Sequence, residues 1–399
     1  MSYRSPYQGL RVLDVSQGFA GPYVGGMLSL YGASVIKVEP PEGDWIRGIG
    51  RAHGGNTALG VVANRGKRSI AINLKSEAGR TLVHRLARDA DVFIESFRPG
   101  VAARLGVSYT DIQAINRRVL YLSVSGYGQH GPGAGRPATD MVIQANSGFM
   151  SVNKGMDDVP HKAGVLIADT ATGVYGFQAV AAALFARERE AEGRYLDISL
   201  MQGTAAFLAP KIVEYHAEHG NPRVLNAPAG SYRTKDGWIA ITLVKEHHFE
   251  RLCRAMERPD ILDDPRFKSF ETRSHHADAI RDLVAEVIPG RTTADWIARF
   301  AEFEVLASAI ADFGDWLADP QVAETQAAPL VEQPGMGPVH IPAIPGTDPE
   351  GSPVSPSVGQ HGRAILGELG LDDAAIAGLV RDGAVKLPTD NDDKGPDQP

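Results

Sequence analysis

Five short runs rich in β-branched residues punctuate the first third of the chain: RVLDVS (11–16), SVIKVE (34–39), SIAINL (69–74), DVFIES (91–96) and VLYLSVS (119–125). Between them the apolar positions switch to helical spacing. In PYVGGMLSLYG (22–32) a proline stands at a first helical position and a glycine at the end. In EAGRTLVHRLARDA (77–90), Leu82, Val83, Leu86 and Ala87 mark one helical face. Strands interleaved with helices predict βαβ units, and hence an α/β fold on a parallel, doubly wound sheet.

Past residue 188 the pattern gives one more strand and a helix ending at Gly220, then a turn-rich linker, NPRVLNAPAGSYRTKDG (221–237). A strand at 237–244 and helical stretches at 246–257, 276–288 and 293–302 predict a smaller α+β domain. The Pro-rich run EQPGMGPVHIPAIPGTDPEGSPVSP (332–356) reads as a long extended connection before a helical pair, GRAILGELG and DDAAIAGLVRDG. Residues 386–399 are polar and read as a disordered tail.

With 43% hydrophobic and 22% charged residues, the 399-residue chain has the profile of a soluble globular protein. The net charge of −8 argues against a nucleic-acid partner, which needs clustered Lys and Arg over an extended face. One cysteine, Cys253, excludes an intrachain disulfide and a multi-cysteine zinc site, in keeping with a reducing cytoplasm. The N-terminal MSYRSPYQGLRVLDV lacks an apolar signal region, and the most apolar stretch, 165–188, is broken by Asp169, Thr170, Thr172 and Gln178. A cytoplasmic protein with no membrane partner is expected.

Four places could carry chemistry. The turn SQGFAGPYVGG (16–26) precedes a helix whose free N–H groups suit an anion, but Gly18, Gly21, Gly25 and Gly26 do not match G-x-G-x-x-G, and no P-loop occurs. The turn is either a ligand cradle or a tight βα turn that needs glycines. Arg65, Lys67, Arg68 and Lys75 crowd into eleven residues, as a solvated edge or as a site for a phosphorylated ligand, with Arg98 and Arg104 after the next strand. The histidines carry no H-E-x-x-H spacing, no metal site is expected, and G-x-S-x-G is missing. Finally, Asp169 stands before a long apolar helix, either as its N-cap or as a carboxylate with chemistry to do.

Taken in order, GLRVLDVSQGFAGPYVGGMLSLYGASVIKVEPPEGD, NRGKRSIAINLKSEAGR, ADVFIESFRPGVAARLGVSY, LYLSVSGYGQHGP, QANSGFM, IADTATGVYGFQAVAAALFARE, GRYLDISLMQ, DPRF and VGQHGRAILGELGLDDAAIAGL resemble the class III CoA-transferase (CaiB/BaiF) family nearly end to end. The resemblance implies a Rossmann-like large domain formed by both termini (1–220 and 330–385), a small domain (225–325), and an interlocked homodimer. It implies coenzyme A or an acyl-CoA as the ligand, with a carboxylate acceptor. Asp169 falls at the position of the nucleophile, which passes through an aspartyl mixed anhydride and an aspartyl-CoA thioester. Small neighbours such as Ala168, Ala171 and Gly173 would leave room for the thioester. The carried-over CoA contacts are Phe19 and Ala20, the segment Ile72, Asn73, Leu74 and Lys75, then Ser96, Phe97, Arg98, Arg104, Arg136 and Asp140.

Departures narrow the activity. Pro40 stands where some members have an arginine, and Thr139 where others have tyrosine. The 242–252 segment TLVKEHHFERL lacks the glycine-rich loop of formyl-CoA:oxalate transferases. Racemases of the superfamily have a histidine where this chain has Thr139, so half of an acid–base pair is missing. An acyl-CoA:carboxylate CoA-transferase is therefore expected, with an α-methylacyl-CoA racemase and a non-catalytic CoA-binding protein as the alternatives.

Overall fold

Six of the seven strands of the main sheet are parallel, as the alternating pattern predicts: β1 Arg11–Asp14, β2 Ser34–Glu39, β3 Arg68–Ile72, β4 Val92–Glu95, β5 Leu120–Ser125 and β6 Arg194–Ser199. The computed structural model describes residues 5–155, 158–222, 224, 226–348 and 352–388, and its chain divides into one unit of residues 1–209 with 323–399 and another of residues 210–322. The first boundary lies at the start of the helix Ala209–Ala217, ahead of the turn-rich stretch 221–237.

Spatially the strands run β3-β2-β1-β4-β5-β6. The winding reverses between β1 and β4, and in open α/β sheets ligands bind outside the carboxyl ends of the strands at such a reversal. β4 and β5 are buried at every position, because helices cover both faces. One face packs Leu13, Val38, Ile70, Phe93 and Tyr121 against the helix Glu77–Ala87 and the C-terminal helices. The other packs Val12, Val35, Ile94 and Leu122 against the helices Ala20–Leu30 and Ile167–Arg187.

The second unit holds an antiparallel sheet of β7 Gly230–Arg233, β8 Trp238–Thr242 and β9 Leu306–Ala309, with an aromatic core around Trp296, Phe300 and Phe249. Cys253 lies in that core, where burial pushes its thiol up to about 12, so it stays a protonated, inert side chain at neutral pH.

Two expectations change on return to the first unit. The Pro-rich connection contains a hairpin, β10 Leu330–Gln333 against β11 Gly337–His340, turned through Pro334, Gly335 and Met336. Lys386, expected in the tail, belongs instead to β12, Val385–Lys386, which lies antiparallel to β3 with Val385 opposite Ile72. Residues 389–399 of the expected tail lie outside the described residues.

Candidate active site

The turn after β1 rests on buried charge. Lys37 and Lys67, both fully buried, converge on Asp14. The Lys67 Nζ donates to Asp14 Oδ2 at 2.8 Å, to the Pro22 carbonyl at 2.7 Å and to Asn64 Oδ1 at 3.1 Å. Lys37 meets Asp44 Oδ2 at 3.1 Å and donates to the Ser16 carbonyl, while Asp44 Oδ1 accepts the Gly18 and Ile46 N–H groups. Burial by itself would raise the Asp14 carboxyl, but Lys37 and Lys67 hold it below its ordinary value. Glu39, clamped by both arms of Arg47, is likewise held down at about 2 against its burial. These ions fix the path of residues 14–20. Gly18 is required there: its φ is +85°, and a Cβ would sit 2.6 Å from the Trp45 ring. On the far side Ser96 Oγ donates to the Gln17 carbonyl and accepts its N–H, both at 2.8 Å, which staples the ends of β1 and β4 across the reversal.

Asp169 enters from the helix Ile167–Arg187. It does not cap that helix. Leu166 is the cap residue and supplies no side-chain bond; instead Asp140, from the helix Asp140–Asn146, accepts the N–H groups of Ala168 at 2.8 Å and Asp169 at 3.1 Å. The capping carboxylate thus comes from another helix. Asp169 is freed to face the first residue of the helix Ala20–Leu30, whose Ala20 N–H bears on its carboxylate. The small neighbours serve packing rather than making room: Ala168 is fully buried, and a Cβ on Gly173 would lie 2.7 Å from Tyr23.

A cavity of about 680 Å³ opens over Asp169. Phe19, Trp45, Ile49, Leu59, Val62 and Met141 give it an apolar wall, and Asp140, Gln144, Thr170 and Lys162 its polar points. Burial, seconded by the Asp140 charge and opposed by the Ala20 N–H, pushes the half-buried Asp169 carboxyl up to about 7.

A stability signature follows. The folded state holds the Asp169 proton more tightly than the unfolded chain, so the protonated side chain costs nothing below about pH 4, and ionisation destabilises progressively up to about pH 7, by on the order of 2–4 kcal/mol. In Asp169→Asn, which mimics the protonated form, the gain in melting temperature over the parent is near zero at about pH 4 and grows to several degrees at about pH 8. Calorimetry across that range checks it, and a difference that does not change with pH contradicts it.

The chain matches the model of CoA-transferase family III over residues 7–362. The chain belongs to that family. It is 33% identical to an acetyl-CoA:oxalate CoA-transferase of Acetobacter aceti (93% of this chain, 97% of the relative) and 34% identical to a succinate–glutarate CoA-transferase of Agrobacterium fabrum (92% and 96%). A crystal structure of a CaiB/BaiF family protein from Brucella suis superposes with a TM-score of 0.81 at 33% identity, covering 92% of this chain and 100% of that one.

In this family III CoA-transferase the residues carried over from sequence fall into groups. Phe19, Asp140 and Asp169 line the same cavity, and the Ala20 N–H bears on the Asp169 carboxylate. Ser96, Phe97 and Arg98 follow β4, beside the β1 turn, and Asn73 and Lys75 follow β3, two strands away. Lys75, Arg98, Arg104 and Arg136 are exposed and form no ion pair among the described residues. Ile72 is 1% exposed inside the core, which leaves no side-chain surface for a ligand, and Asp140 spends its oxygens inside the protein.

The cationic knot comes apart. Arg65 donates to the Pro342 carbonyl and to Ser352, Lys67 belongs to the buried network, and Arg68 forms a two-armed pair with Glu368. Sequence spacing cannot reveal these partners, which lie up to 300 positions away. Trp45, Ile49, Leu59, Val62, Met141 and Lys162 escaped the sequence reading, and Gln144 entered it only as part of the segment QANSGFM. Of the missed residues only Trp45, a large aromatic in the turn-rich PPEGDWIRG, carried a signal. Among the described residues no helix is long and apolar enough to cross a membrane, and no group of His, Cys, Asp and Glu is arranged to hold a metal.

Proposed function

We propose that this enzyme moves CoA from an acyl-CoA to a free carboxylic acid with Asp169 as nucleophile. The observation that carries the reading is a carboxylate at the mouth of an apolar cavity, beside a helix N-terminus at the reversal of the sheet. The Asp169 carboxylate attacks the thioester carbonyl, the C–S bond breaks, and CoA thiolate leaves an aspartyl mixed anhydride. The thiolate then attacks the aspartyl carbonyl, which releases the donor acid and forms aspartyl-CoA thioester. An acceptor carboxylate attacks that thioester to give a second anhydride and thiolate. Attack of the thiolate on the acceptor carbonyl forms the new acyl-CoA and restores Asp169.

Each stage conserves acyl activation provided water is kept out, and the wall of Phe19, Ile49, Leu59 and Val62 serves that end. The free cations Arg98, Arg104, Arg136 and Lys75 at the carboxyl end of a Rossmann-like sheet suit the phosphates of CoA. The acceptor is proposed to be a dicarboxylic acid: relatives are named for oxalate, glutarate, D-citramalate and mesaconate, and Lys162, the one cation on the cavity wall among the described residues, offers a partner for the second carboxylate. The reading extends to an interlocked homodimer.

The test offers purified enzyme acetyl-CoA or succinyl-CoA with a panel of mono- and dicarboxylic acids and follows new thioesters by mass spectrometry. Hydroxylamine added with the donor alone traps an activated Asp169 as the hydroxamate, identified by peptide mapping. A panel with no product despite CoA binding, or deuterium exchange at the α-carbon of a branched acyl-CoA without transfer, refutes the assignment.

A further inference from the structure

Gln144 is 1% exposed and sits one helical turn after Asp140. Its amide meets three different groups: Nε2 donates to Asp140 Oδ1 and, at 3.3 Å, to the Val165 carbonyl, while Oε1 accepts the Ala163 N–H at 2.8 Å. The other Asp140 oxygen takes the N–H groups of Ala168 and Asp169. One amide therefore ties the loop leading into the Asp169 helix at two points and orients the carboxylate that closes the helix end. A neutral amide is suited to this place, because it satisfies an acceptor and a donor at once and adds no charge beside two carboxylates.

We propose that Gln144 is a positioning residue for Asp169, acting through Asp140. The proposal rests on Asp169 being the reactive group. Gln144 holds the Asp140 carboxylate in place by donating to it, and the Asp140 charge in turn raises the affinity of Asp169 for its proton. Other ionisable groups near Asp169 are Tyr23 on the helix Ala20–Leu30 and Lys162 on the cavity wall. On the strands beneath, Tyr121 donates to the Val107 carbonyl, Asp197 accepts from Gln129, Arg194 pairs with Glu190, and Tyr195 lies against Tyr109 and Tyr121. Tyr31 stacks on Phe177, two turns further along the Asp169 helix. Asp140 is the one carboxylate among these that bears on Asp169.

The test follows the carboxyl carbon of Asp169 by NMR in the full chain labelled with ¹³C-aspartate, the signal being assigned by its loss in Asp169→Asn. Gln144→Met keeps the length of the side chain and removes all three hydrogen bonds. The Asp169 midpoint is expected to fall by at least about half a pH unit in Gln144→Met and by about one unit in Asp140→Asn. The double variant is expected to match Asp140→Asn, since the amide acts through that carboxylate. A parental midpoint in Gln144→Met, or full additivity in the double variant, overturns the proposal. Should Gln144→Met not fold, Asp140→Asn decides alone: an unmoved midpoint overturns it, a lowered one supports it. The titration is independent of turnover, so transfer that persists without Asp169 would refute the function while leaving this result to stand or fall by itself.

Discussion

Asp169→Asn lowers kcat/KM for transfer by about 10³-fold or more, with acyl-CoA affinity within a few-fold of the parent enzyme. The substitution is nearly isosteric, leaves the Ala168 and Asp169 N–H groups on Asp140, and removes only the nucleophilic oxygen. Asp169→Ala behaves the same way, which separates loss of chemistry from any residual reactivity of the amide. In the parent enzyme kcat/KM rises with pH and levels off above about 7, because the anion attacks and burial delays its formation. Mass spectrometry of product thioesters with calorimetric CoA titration checks both halves. Transfer in either variant within about tenfold of the parent removes Asp169 from the mechanism.

Lys67→Met destabilises the protein by about 3–5 kcal/mol, among the largest losses available to a single surface-remote substitution here. Methionine fills much the same volume, but Asp14 Oδ2, the Pro22 carbonyl and Asn64 Oδ1 each lose a donor inside the protein. Lys37 remains 3.9 Å from Asp14 and compensates only in part, since its Nζ is engaged with Asp44 and Ser16. Equilibrium denaturation with urea reads the loss as a lower midpoint at unchanged slope. A loss below about 1 kcal/mol would show that the three bonds at Lys67 are not holding the β1 turn.

Much of the scaffold could be read from residues. The runs RVLDVS, SVIKVE and DVFIES are strands because their β-branched side chains pack on both faces of a covered sheet, a local preference that survives in the fold. The hairpin at 330–340 was missed because its proline and glycines punctuate an extended run and a tight turn alike. Asp169 stood out because a lone acid at the head of an apolar helix is costly unless it is used. Its supposed capping role failed because the cap was already supplied, 29 positions upstream in sequence and adjacent in space.

The cations show the same division. Arg65, Lys67 and Arg68 look alike in sequence, yet one anchors a distant loop, one is sealed among carboxylates, and one pairs with Glu368. Periodicity, propensity and motif order act over a few residues or over the whole chain, and so they established the α/β architecture and the family and singled out the carboxylate proposed as nucleophile. Burial, the sign of neighbouring charges and the partner of each hydrogen bond depend on atoms brought together from distant segments. Folding alone therefore assigned Asp140 and Gln144 to the support of Asp169, turned the glycine at 173 into a packing contact, and raised the proton affinity of the Asp169 carboxylate.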